Sequence, residues 1–124
     1  MKRYFIIIAI SIFSLTGNAQ NMIQGEPSRE MEAKAAQEAA EWTRELAMSL
    51  EQMELMEDKI IEFAMKKDEV IQSNLPAEEK RKVLNNLQKR EYADMRDILT
   101  RPQFLRYMEI NNARARRINE RANN

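Results

Sequence analysis

Cysteine and histidine are both missing from the 124-residue chain, and glycine occurs only at Gly17 and Gly25. Without the first two there is no Ser-His-Asp or Cys-His nucleophile and no usual zinc ligand set. No disulfide can brace the fold in an oxidising compartment. With no glycine beyond Gly25, neither a phosphate-cradling P-loop nor a dinucleotide fingerprint fits the body of the chain. Proline is confined to Pro27, Pro76 and Pro102. A long glycine-free stretch rich in Ala, Glu, Lys, Arg, Leu and Met predicts continuous helices. No segment alternates with period two over a useful length, so strands are not expected. These absences predict a protein without catalytic residues, cofactor or metal site. The adjacent carboxylates Glu57-Asp58 and Glu78-Glu79 do not change that, because sequence neighbours on a helix point away from each other. Glu78 and Glu79 also fall where a helix dipole favours acids.

The chain opens on a different kind of segment. Lys2 and Arg3 precede an apolar run from Tyr4 to Leu15, and Thr16-Gly17-Asn18-Ala19 supplies small residues where a signal peptidase reads. The run is shorter than the ~20 apolar residues a spanning helix needs. It therefore reads as a cleavable signal peptide, residues 1–19, cut after Ala19 on export to the periplasm. No Cys follows it, which excludes a lipoprotein anchor, and no stable membrane insertion is expected.

Large apolar residues occupy 30 of the 105 positions from Gln20 to Asn124. That suffices for one domain with a thin core, so burial against a second copy, a homodimer, is expected. The zero net charge conceals an asymmetry. Gln20 to Glu79 carries 15 acidic and 6 basic side chains, net −9; Lys80 to Asn124 carries 5 and 12, net +7. Helices need solvated charged faces, which accounts for most of these residues. The remainder would let the halves pair within or between chains, or leave a basic surface for acidic or unfolded partners. Arg114, Arg116, Arg117 and Arg121 suit a solvated helix end. Export and the lack of interleaved aromatics argue against nucleic acid.

Residues 20–27 read as a flexible leader, residues 28–119 as a four-helix domain, and residues 120–124 as a frayed tail. Ser28 is a good N-cap with Glu30 and Glu32 behind it. Met31, Ala35, Ala39, Trp42 and Leu46 then mark one helical face. A second helix carries Met53, Met56, Ile60, Phe63, Ala64, Val70 and Ile71 on one side. Asn74-Leu75-Pro76 ends it. Leu84, Leu87, Met95 and Ile98 mark the third helix; Phe104, Tyr107, Met108, Ala115 and Ile118 mark the fourth.

A short pattern occurs twice. Met48-Ser49-Leu50-Glu51-Gln52 follows the first helix and Leu99-Thr100-Arg101-Pro102-Gln103 follows the third. In each, the hydroxyl residue can cap the backbone N–H of the glutamine, whose side chain reaches back to the N–H of the cap. The preceding apolar residue is placed to staple onto Met53 or Phe104. Pro102 is tolerated in a first turn, where its missing N–H would have had no partner. The six residues Met48, Ser49, Gln52, Leu99, Thr100 and Gln103 thus predict two sharp helix-to-helix corners.

With its export signal and four helices, this pair resembles the Spy/CpxP family of periplasmic proteins, whose hallmark is a twice-occurring L-T-x-x-Q pattern. Leu99, Thr100 and Gln103 match in full; Met48, Ser49 and Gln52 match conservatively. The resemblance spans roughly Ala40 to Arg117. It implies an all-α, elongated four-helix hairpin forming a cradle-shaped homodimer. It also implies an ATP-independent chaperone, a periplasmic regulator of an envelope-stress sensor kinase, or a metal-responsive protein. The metal-binding branch looks to depend on His-rich or Cys-containing segments, which this chain lacks.

The first expectation is a chaperone for partly unfolded envelope proteins, with Lys and Arg capturing clients and Met, Leu and Ile holding them weakly. Met65, Lys66, Lys67, Arg90 and Arg96 are its candidate contact residues. The second is the kinase regulator, held to a sensor's periplasmic domain by complementary charge. Met48, Met53 and Met56 could bind Cu(I) through thioethers, although Met is more often a core filler. Leu50, Ile61 and Met65 lie opposite the main stripe of the second helix, and Leu50 and Ile61 read as a dimer seam.

Overall fold

The structure, a computed structural model, describes residues 26–124. The expected signal peptide, and the leader up to Gly25, lie outside the described residues. Four helices make up the rest: α1 (Arg29–Leu46), α2 (Leu50–Gln72), α3 (Ala77–Ile98) and α4 (Arg101–Asn123). No strand occurs among the described residues, so the protein is all-α.

Each helix starts where side-chain chemistry dictates. Ser28 accepts a hydrogen bond from the Met31 N–H at 3.1 Å, with Glu30 and Glu32 in the first turn of α1. α2 ends as the chain runs into Pro76, which itself caps α3 without a side-chain bond. The frayed carbonyls of α2 find local donors: the Ser73 hydroxyl reaches Val70 O at 2.6 Å, and the Lys80 ammonium reaches back to Ile71 O at 2.8 Å.

Connections of three and four residues turn the chain back twice, so α2 lies antiparallel between α1 and α3. α4 touches α1 and α3 near the corners. The main core sits at that end, where Trp42, Leu46, Met48, Met56, Met95, Leu99 and Tyr107 are buried together. Met53, Ile60, Tyr92, Ile98, Phe104, Met108 and Ile110 pack against them. Tyr107 is central, its ring centroid 4.7 Å from Trp42, 5.9 Å from Tyr92 and 6.2 Å from Phe104. Further along, Ala35 and Ala39 on α1, Phe63 on α2 and Leu87 on α3 are buried.

Three positions assigned to buried stripes lie outside the core. Ile71 and Ile118 are exposed large hydrophobics, and Ala115 is exposed too. Ile71 falls in the last turn of α2, and every residue from Arg114 onward is exposed, with Tyr107 the last buried side chain of α4. Helical periodicity marks a face without marking where its neighbour stops. The helix also continues through the expected frayed tail to Asn123, because no Gly or Pro in that stretch opposes it.

Candidate functional site

Both corners carry complete capping boxes. At the first, the Gln52 N–H donates to Ser49 Oγ at 3.1 Å and the Ser49 N–H donates to Gln52 Oε1 at 2.9 Å. At the second, the Gln103 N–H donates to Thr100 Oγ1 at 3.4 Å and the Thr100 N–H donates to Gln103 Oε1 at 2.9 Å. Met48 and Leu99, the residues before the caps, are both buried in the main core, with Met53 and Phe104 packed against it.

The glutamines then do something that neither pentapeptide announces. Gln52 Nε2 donates to Gln103 Oε1 at 2.7 Å, and Gln103 Nε2 donates to Gln52 Oε1 at 3.3 Å. Each amide also donates to the end of the helix that precedes the other corner. Gln52 reaches Ile98 O at 3.1 Å; Gln103 reaches Leu46 O at 3.2 Å and Ala47 O at 3.4 Å. The two amides thereby satisfy orphan N–H groups at two helix starts and orphan carbonyls at two helix ends. Residues 51 apart in sequence play matching parts. The corners thus contact each other reciprocally through the Gln52–Gln103 pair.

The corners differ in one respect. Ala47 closes α1 in the left-handed region, φ 52° and ψ 49°, with its own N–H and that of Met48 both directed at Thr43 O. Leu99, which follows α3 directly as its C-cap, is extended.

The structure distributes the candidate contact residues instead of gathering them. Met65 and Lys66 face the first turn of α1, beside Pro27, Ser28 and Met31. The Lys66 ammonium lies 3.5 Å from Glu62 and 5.0 Å from the centroid of the Phe63 ring. Lys67 points to the other side of α2, where its ammonium meets Gln88 Oε1 at 3.0 Å and Glu91 Oε2 at 3.2 Å. Burial pushes the Glu91 carboxyl above its usual range, and the attraction of Lys67 offsets only part of that. Arg90 and Arg96 are exposed on α3. Met48 and Met56 are core residues, 8% and 0% exposed, so packing engages their thioethers. Leu50 is 67% exposed at the start of α2, while Ile61 is half-buried.

Two further contacts escaped the sequence reading. The Arg114 guanidinium sits 4.7 Å above the Trp42 ring, so this arginine covers the aromatic core instead of only ending a helix. Lys59 bridges α2 to α3 by pairing with Glu62 at 3.0 Å and Asp94 at 3.3 Å. The i, i+3 spacing of Lys59 and Glu62 could have signalled the intrahelical part of the second; nothing in the sequence pointed to its Asp94 partner or to the first. No protein family, curated protein or solved structure matches the chain.

Proposed function

We propose that the protein is an ATP-independent periplasmic chaperone of the Spy/CpxP kind, a binding protein and not an enzyme. The observation that carries this reading is the interlocked pair of capping boxes. The twice-occurring pattern behind the family resemblance does one structural job at two equivalent corners, tied by Gln52 and Gln103. A scaffold pinned this way holds long helices whose outer faces are free to bind. Those faces carry exposed Leu55, Ile71, Leu75, Leu105 and Ile118 and exposed Arg90 and Arg96. Weak apolar contact supported by charge suits clients that leave by burying their own apolar surface, without an energy source. Lys66 and Lys67 are held by carboxylates, so Arg90 and Arg96 are the better placed cations for long-range capture.

The test is light scattering from an aggregating client with a few-fold excess of the purified protein and no ATP. Suppression that weakens in an Arg90→Glu/Arg96→Glu variant is expected. Unchanged aggregation across several clients would remove the proposal. We also propose self-association through the Leu50 side of α2. Sedimentation should show a dimer that Leu50→Asp dissociates.

A further inference from the structure

A groove of about 440 Å³ runs between the first turn of α1 and the second half of α2. Its size lies within the roughly 300–1,000 Å³ typical of ligand pockets. Pro27, Met31 and Met65 give it an apolar lining, and Glu26, Asp68 and Glu69 line it with carboxylates. The lone cation in its wall, Lys66, is turned toward Glu62 and the Phe63 ring. Glu26, Asp68 and Glu69 make no ion pair among the described residues. Met31 and Asp68 also border an adjoining groove of about 450 Å³ lined by Ile60 and Ala64. The channel that follows the start of α1 thus joins these apolar side chains to the unpaired carboxylates of Glu26, Asp68 and Glu69, while Glu30 and Glu62 in its walls are paired with Lys34 and with Lys59 and Lys66.

We infer that this channel binds an extended polypeptide segment in which lysine or arginine alternates with large apolar residues. The apolar side chains lie on Met31 and Met65, whose unbranched thioethers adapt to varied shapes. The cations meet Glu26, Asp68 and Glu69, which would otherwise face only water. An acidic segment of equal hydrophobicity is repelled by the same rim, so the discrimination is electrostatic and salt-sensitive. The inference rests on the chaperone reading only in taking such segments to come from unfolded proteins. It places basic clients on α2 beside α1, away from the exposed arginines of α3.

The experiment is fluorescence anisotropy of two labelled peptides, alternating Lys-Leu and alternating Glu-Leu, titrated with the purified protein. Binding of the Lys-Leu peptide is expected, weakening as salt is raised, with little binding of the Glu-Leu peptide. Asp68→Lys/Glu69→Lys should weaken it about tenfold or more, since attractions at two exposed sites become repulsions. Circular dichroism checks that this variant stays helical. Asp68→Asn/Glu69→Gln, which keeps the side-chain shapes, replaces it if it does not. Met65→Ala should weaken binding at every salt concentration. Equal affinity in the charge variants, or equal binding of both peptides, would overturn the inference. So would Lys-Leu binding that appears only when the protein is diluted, because a second copy would then be filling the groove. None of these outcomes depends on aggregation suppression, so this inference and the chaperone reading fail separately.

Discussion

The side-chain amides of Gln52 and Gln103 face each other as a reciprocal pair, one bond 2.7 Å long and its return 3.3 Å. Each Oε1 also accepts from its own helix cap, and each Nε2 also donates to a carbonyl at the end of the helix before the opposite corner. Two amides therefore organise four helix termini. Such shared networks couple their members, so losses at the two positions should not add.

The hydroxyl caps should be separable from that network. Ser49→Ala and Thr100→Ala each remove one acceptor from a helix start and are expected to cost about 1 kcal/mol. Exchanging the two, Ser49→Thr with Thr100→Ser, should be nearly neutral in urea denaturation. A large loss in the exchange would show that side-chain shape, and not the cap bond, matters there.

Ala47 holds a left-handed conformation that glycine adopts without steric cost. A Cβ in that region costs roughly 1–2 kcal/mol, partly returned by the lower unfolded-state entropy of alanine. Ala47→Gly should accordingly raise the melting temperature. A fall would mean that the corner tolerates the Cβ without strain.

Glu91 gives a pH dependence whose sign can be worked out. Burial raises its carboxyl above the usual value near 4.5 despite Lys67, so the folded state holds the proton more tightly than the unfolded state. Its contribution is fully present below the unfolded value and is lost as pH rises through the raised one. Glu62, held low chiefly by its bond to Lys59, acts in the opposite direction. The measurement is therefore a difference. The melting temperature of Glu91→Gln minus that of the parent should grow as pH rises from acid to neutral. A difference that shrinks over that range would show that the Lys67 ion pair outweighs the burial.

Much of the fold was legible because helices are local. Ser28, the glycine-free body, the Asn74-Leu75-Pro76 break and the pentapeptides mark all four helices, and the stripe from Ala35 to Leu46 is the buried face of α1. What was not legible is what crosses between distant segments. A capping box is read within four residues, and nothing in either copy says that its amide has spare donors aimed at the other corner. The repeat was the one hint. Ala47 carried no signal, since a left-handed helix end usually advertises itself by Gly or Asn. Ile71 and Ile118 obey the period yet lie exposed. Arg114 looked like a dipole-favoured helix end and proved to stack on Trp42.

The central claim is that Gln52 and Gln103 join the corners and do not merely cap their own helices. Gln52→Glu/Gln103→Glu distinguishes the two, because glutamate keeps the capping acceptor and suits a helix start but cannot donate. Chemical denaturation of this variant at neutral pH should show a loss of about 1–3 kcal/mol or more, as two carboxylates replace the mutual amide bonds and leave carbonyls unpartnered. Stability equal to or above that of the parent would contradict the account.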